Sequence, residues 1–530
     1  MQIIRIGEGS AQPVSADIVG AKAANLARMA ALGLPVPPAF VLPIALCAAI
    51  TRGEPGVKRI LADNLTEGIE FLEQTTGKAF GDRRRPLLVS VRSGAARSMP
   101  GMLDTVLDVG CTPAAVRGLV RASGNPCFAN DCRCRFLESY GGVVLGIDPA
   151  AFAERHKELA AAEGVESDQP LDCEALEHLA TAYERVIERE DDVLAEDPMQ
   201  QLLAAAEAVY RSWTSERART YRQLEHLEDL QGTAVTVQAM VFGNRSASSG
   251  AGVAFSRDPS TGAREPVIDV LFGAQGEDVV SGRRNPETEA AIARSLPAVA
   301  AQLRQALTRL EQEFGDVQDV EFTIENGQLW LLQTRSAKRT LQAAVRFAID
   351  LVKEGRIAQA EALRRLNGID LRGLARKRLL DAGAPIARGT GASAGIAVGR
   401  AAFDTAGAAR LASGGDAVIL VRPNANTGDI AGFATSVGIV TAVGGRTAHA
   451  ALVARQMGRP CIVGCAGLAI DAAHRSARFA EKAVNEGDWL SIDGWAGTVH
   501  LGRSHIAIEQ PEAELAEIAR WRAEAVESHK

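Results

Sequence analysis

VGGRTAHAALVARQMGRPCIVG, residues 443–464, is the stretch on which the reading of this chain turns, and His449 is its centre. The histidine follows a Gly444-Gly445 turn and opens Ala450 to Met457, a run of good helix formers without Gly or Pro. That spacing predicts a helix with His449 at its N-terminus, where unpaired backbone N–H groups collect and favour anions such as phosphate. Neutral imidazole is a nucleophile at ordinary pH, so a phosphohistidine is chemically reasonable here. Residue chemistry alone leaves a capping or core histidine as the commoner role for a lone His.

The surrounding letters resemble the phosphohistidine segment of the pyruvate phosphate dikinase and phosphoenolpyruvate synthase family, Gly-Gly-x-Thr-(Ser/Cys)-His-Ala-Ala followed by a helix and a turn into a strand. Thr447 and His449 match that pattern. Ala448 stands where the family carries Ser or Cys, so a hydrogen bond or modification on that side chain is absent. The resemblance implies a phosphoryl group carried on His449.

The chain has 530 residues, enough for about three or four domains. With 47% hydrophobic and 23% charged residues it has an ordinary globular composition, and a net charge of −7 argues against nucleic-acid binding through phosphate contacts. The N-terminus lacks the charged and apolar regions of a signal peptide, and no apolar run reaches the roughly 20 residues that span a bilayer. The eight cysteines are scattered, and Cys127, Cys132 and Cys134 lack CxxC spacing. Reduced thiols in a cytoplasmic protein, with no membrane contact, are expected.

Ile18 to Phe40 places Ala24, Leu26, Met29, Ala30 and Leu32 as one short helix ended by Gly33 and Pro35. Lys22 falls at its start, where a Gly-containing turn and a cation can meet a phosphate, although most such lysines are solvated. Leu87 to Val91 reads as a buried strand, and Arg92 leaves its end toward a Gly-, Ser- and Pro-rich loop. A guanidinium fork there suits a polyphosphate, and equally an ion pair. GAKAANLARMAALGLPVPPAF and VSVRSGAARSMPGMLDTVL resemble the opening of the dikinases. The resemblance assigns ATP contacts to Lys22, Arg92, Gly101 and Thr105, with Ala21 and Ala23 replacing two family glycines. Residues 112–230 read as a helical insertion, with segments near 134–144, 149–163, 173–191 and 199–225. His156, His178 and His226 read as surface or packing residues.

From Gly232 the pattern turns to strands, TAVTVQAMVFG, GAGVAFSRDPSTG and EPVIDVLFGAQGEDVVSG, which suggests a twisted antiparallel sheet. QDVEFTIENGQLWLLQTR is a hairpin signal with Asn326-Gly327 as its turn. Alternation then places Asp319, Glu321 and Thr323 on one strand face, and Gln333 and Arg335 on the returning strand. Such polar groups are costly if buried without ligands, and a metal-bound polyphosphate would satisfy them; a solvated outer face is the alternative. The closing motif resembles that of the dikinase ATP-grasp domain. By that resemblance Glu321 and Asp319 bind Mg²⁺, Gln333 and Arg335 contact ATP, Gln238 lies near the adenine and Glu277 near the ribose. Ala251 replaces a family Thr.

Residues 341–384 are expected as a helical linker, and the composition shift at ARGTGASAGIAVG, residues 387–399, as a domain boundary. Strands alternating with short helices over 385–503 predict a layered α/β domain with parallel pairing, and 504–530 one amphipathic helix bearing Leu515, Ile518, Trp521 and Ala525. The fold class is therefore α/β. An ATP-grasp domain, residues 1–340, is followed by a domain that by resemblance swivels with the phosphohistidine. In the dikinases a barrel for pyruvate or phosphoenolpyruvate follows such a helix, and only the donor and carrier portions are expected in this sequence. The reading is an ATP-dependent phosphotransferase using ATP and Mg²⁺, with a separate acceptor-binding protein as partner; the γ-phosphoryl goes either to inorganic phosphate, which the MPGMLDTVLDVG and FTIENGQLWLLQTR strings favour by resemblance, or to water. A homodimer is left open. A split phosphotransferase acting on another small molecule and an inactive ATP-binding regulator are the rivals.

Overall fold

Helix caps and tight turns set most element ends in this chain. The structure is a computed structural model that describes residues 2–7, 14–97, 99, 102–165, 171–189, 194–281, 284–369, 374–424, 429–446, 448–471 and 473–527. Gly101 and Thr447 lie outside the described residues, and of His449 only the backbone is described. Two units form, Met1–Ser249 with Thr323–Thr334, and Gly250–Phe322 with Arg335–Lys530. No described helix is long and apolar enough to cross a membrane.

The first unit is built on an antiparallel sheet in the order Ile4–Ile6, Ala39–Leu42, Thr233–Ala239, Val89–Ala95, Thr105–Val109. Thr233–Ala239 therefore pairs with the N-terminal strands, not with the strands that follow it in sequence. Period-two alternation cannot reveal this, because it fixes faces and leaves the partner open. Helix Ala16–Ala31 starts at a Ser15 cap and breaks at Gly20, whose φ of 79° and ψ of 157° are not helical. Lys22 thus opens the regular part of the helix. A Cβ on Gly20 would lie 2.0 Å from the Gly94 carbonyl oxygen, so the helix and the strand Val89–Ala95 meet backbone to backbone.

The insertion is helical as expected, and each start is legible. Pro113–Ser123, Pro126–Tyr140, Pro149–Ala162 and Pro198–Arg211 begin with proline behind a side-chain cap from Thr112, Asn125, Asp148 and Asp197. The first of these was not anticipated, and the second begins earlier than expected. Their apolar faces join Val89, Val91, Val235 and Val237 in one core with Phe128, Phe136, Phe152 and Tyr210. One expectation fails here: Cys127 and Cys173, 46 residues apart, are joined as a disulfide. Packing of Pro126–Tyr140 beside Cys173–Arg189 brings them together, and linear spacing carries no trace of that. The other six cysteines are free and buried.

A second sheet runs Glu287–Thr288, Val267–Phe272, Gly250–Phe255, Gln318–Glu325, Gln328–Ser336, and its last two strands form the expected hairpin. Its turn is Asn326 at φ 50° and Gly327 at φ 76°, the left-handed pair that such a two-residue loop demands. Residues 387–501 fold around an eight-stranded sheet. Its centre, Ile396–Ala402, Val418–Arg422, Gly438–Thr441 and Cys461–Val463, is parallel, and its flanks are antiparallel. A three-stranded meander, Leu468–Asp471, Ser476–Phe479 and Lys482–Asn485, was not anticipated. The expected linker forms helices Leu341–Lys353 and Gln359–Arg365, but Arg376–Leu380 is a strand paired with His505–Glu509, so the C-terminal helix is Glu512–Glu527 alone. Its buried Ile518 and Trp521 share a core with Val345, Ile349 and Leu366.

Helix His449–Gln456 begins at Ala448, which has extended φ and ψ and makes no side-chain capping bond. Ala448→Ser is expected to stabilise that helix by about 0.5–2 kcal/mol, seen as slower amide exchange across it; unchanged exchange would mean that its first turn is satisfied in another way. Gly20→Ala combines a left-handed φ with a backbone clash. It should cost at least about 2 kcal/mol and lower the urea midpoint, whereas a wild-type midpoint would contradict the close helix–strand approach.

Candidate functional site

In the first sheet, register decides which side chains meet. Arg92 lies opposite Thr105 on one side and Thr236 on the other, and Gln238 lies opposite Ser90. Residues two apart share a face, so Ser90, Arg92, Thr105, Thr236 and Gln238 project together, while Val89, Val91, Val106, Val235 and Val237 fill the core behind them. Gly94 belongs to the polar face, and the break at Gly20, two residues before Lys22, meets its backbone. Asn25, one turn beyond Lys22, donates to the Thr334 carbonyl at 2.9 Å, next to Gln333. Gln238 is buried and donates to the Pro37 carbonyl at 3.2 Å. The Thr236 hydroxyl is buried without a hydrogen-bond partner among the described residues. Sequence reasoning passed over Thr236, although its alternation with Gln238 in TAVTVQA was the available signal.

In the second unit, Arg335 Nε donates to Asp319 Oδ2 at 2.8 Å, and its Nη2 lies 3.9 Å from Glu321 Oε1. The expected face therefore forms, with Val320 and Phe322 buried on its reverse. Burial pushes the Asp319 carboxyl above its ordinary value, more than Arg335 can pull it down, and Glu321 adds to the rise. Burial also works against the charge on Arg335, but Asp319 and Glu321 outweigh it and hold the guanidinium above its usual value. Asp319 Oδ1 is buried with no hydrogen-bond partner among the described residues. No cluster of three or more metal-ligating side chains occurs among the described residues. Glu277 sits exposed in the short helix Gly276–Ser281.

The loop before His449 is also seated in this unit. The Gly444 N–H donates to Asn285 Oδ1 at 2.9 Å, and Gly444 has φ 117°. A Cβ on Gly445 would lie 2.3 Å from Pro286 Cγ and 2.6 Å from Asp269 Oδ2. The paired glycines thus serve a close approach to residues 269–286 as well as a turn. Arg446 Nη1 is 3.9 Å from Asp258 Oδ2. Between these groups is a cavity of about 480 Å³ lined by Asp269, Asn285, Thr288, Gly444 and Arg446 among others. Asn285 carried no motif signal.

Comparison with known proteins agrees with this layout. The pyruvate phosphate dikinase AMP/ATP-binding domain matches residues 57–301 and 289–355, and the mobile domain of PEP-utilising enzymes matches 414–497, which includes His449. Pyruvate, phosphate dikinase of Rhizobium meliloti is 41% identical over 97% of this chain and 59% of its own length. Chloroplastic pyruvate, phosphate dikinase 1 of Arabidopsis thaliana is 39% identical over 95% of this chain and 53% of its own. Pyruvate, phosphate dikinase 2 of Zea mays is 38% identical over 95% and 58%. The chain therefore spans between half and three fifths of these relatives. With both domain matches in order and such identity along nearly all of its residues, the chain belongs to the pyruvate phosphate dikinase family.

Proposed function

We propose that this chain cleaves ATP and carries the phosphoryl group on His449. The observation that carries the reading is the seat of the His449 loop, Gly444 N–H on Asn285 and Gly445 against Asp269 and Pro286, in the same unit as the Asp319–Glu321–Arg335 face. Lys22, Arg92 and Arg335 are assigned to the phosphates, where cations offset charge that develops during transfer. Thr105, Thr236, Gln238, Glu277 and Gln333 are assigned to the remainder of the nucleotide, and Gly101 to the loop over it. Asp319 and Glu321 suit Mg²⁺: Asp319 Oδ1 is buried without a partner among the described residues, and an ion that takes one or two carboxylates fills its other positions with phosphate oxygens and water. Bound there, the ion would neutralise phosphate charge.

The histidine nitrogen forms an N–P bond with the former β-phosphoryl group, and AMP leaves with the oxygen of the α–β bridge. The γ-phosphoryl passes to inorganic phosphate, giving pyrophosphate. The helix N-terminus at residues 448–449 favours the negative charge gained by the imidazole. The chain spans between half and three fifths of its dikinase relatives, and none of its residues is assigned to the acceptor of the carried group.

Incubation with Mg²⁺, phosphate and β-labelled ATP should leave label on the protein that acid removes and base spares, and His449→Ala should abolish it without loss of ATP binding. Label persisting in His449→Ala would move the carrier elsewhere. An unlabelled wild type that binds ATP tightly would favour a regulator.

A further inference from the structure

The seat of the His449 loop holds one group that works against it. Arg455, on helix His449–Gln456, is 2% exposed. Its Nη1 donates to the Ala392 carbonyl at 2.7 Å, and its guanidinium carbon lies 5.4 Å from the centre of the Phe255 ring. Nε and Nη2 are buried with no hydrogen-bond partner among the described residues. Burial drives the guanidinium down to about 10, although Asp319, Asp258 and Asp269 all favour its charge. Arginine brings five donors, and enclosing a charged group with donors unmet costs free energy that water would return.

Among the described residues, several contacts favour seating, Arg446 Nη1 at 3.9 Å from Asp258 Oδ2 among them. Gly444 N–H bonds Asn285, and Ser260 Oγ donates at 2.8 Å to the same Ala392 carbonyl that Arg455 uses. Arg455 is closed in from one side by Ala392 of its own domain and from the other by Phe255 of the second sheet. Lifting the domain from that sheet would expose the guanidinium to water.

We propose that Arg455 is a positioning residue that keeps the seated state of the His449 domain weak, so that the domain leaves the second sheet readily, with Asn285 as the opposing latch. Its purpose rests on the carrier reading above, because a carrier must travel between donor and acceptor. The seating equilibrium itself needs no nucleotide. A failure here is therefore distinguishable from a failure of the phosphohistidine.

The test is amide hydrogen exchange of the full chain without nucleotide, followed in peptides that contain Gly444 and in peptides from 267–272. Arg455→Met keeps an apolar stem and removes the charge; it should slow exchange at both places by at least about fivefold. Asn285→Ala should speed exchange at Gly444, and the double variant should fall between the two. Arg455→Lys, which restores a cation, should exchange like wild type and so separates charge from packing. Faster or unchanged exchange in Arg455→Met, or slowing in Arg455→Lys equal to that in Arg455→Met, would overturn the proposal.

Discussion

The bond from Arg335 to Asp319 is the constraint around which the second unit is arranged. Asp319 is 2% exposed, and a carboxylate so enclosed keeps its charge only beside a fixed cation. Removing one partner of such a pair typically costs about 3–5 kcal/mol, because the survivor is left buried and uncompensated. The hairpin supplies the fixed geometry. Its Asn326-Gly327 turn sets the register, and register sets Asp319, Glu321 and Arg335 on a common face. One oxygen of this pair, Asp319 Oδ1, is buried without a hydrogen-bond partner among the described residues.

Glycine supplies the second recurring device, close approach of backbone to a neighbour. Gly20 meets the Gly94 carbonyl, which sets the start of the helix bearing Lys22 against the strand Val89–Ala95. Gly445 meets Pro286 and Asp269, which seats the loop ahead of His449. In both places a side chain would force the two segments apart. Arg455 shows the opposite tendency, a bulky charge enclosed with Nε and Nη2 lacking partners among the described residues.

Much of this was readable because local rules decide it. Pro after Thr112, Asn125, Asp148 or Asp197 marks a helix start, and Asn-Gly between alternating strands marks a hairpin. His449 at a helix N-terminus followed from the glycine pair and the helix formers after it. Other features are settled by packing between distant segments. The partner strands of Thr233–Ala239, the Cys127–Cys173 pairing and the strand Arg376–Leu380 have no local signature. Thr236 is intermediate, since its alternation with Gln238 was visible but only register shows that Arg92 lies opposite it. Asn285 and Arg455 gain meaning only from what lies across from them. The family resemblance reached the site residues by a different route, and it is silent on these two.

The central claim is that phosphoryl transfer from ATP ends on His449 and is stoichiometric with it. A rapid-quench measurement of AMP with ATP in excess over the chain, and with Mg²⁺ and phosphate but no acceptor, tests it most directly. The account predicts a burst of about one AMP per chain that then stops, and no burst when His449 is replaced by glutamine. Continuous ATP hydrolysis to ADP with no AMP burst, or an undiminished burst in the His449→Gln protein, would contradict it.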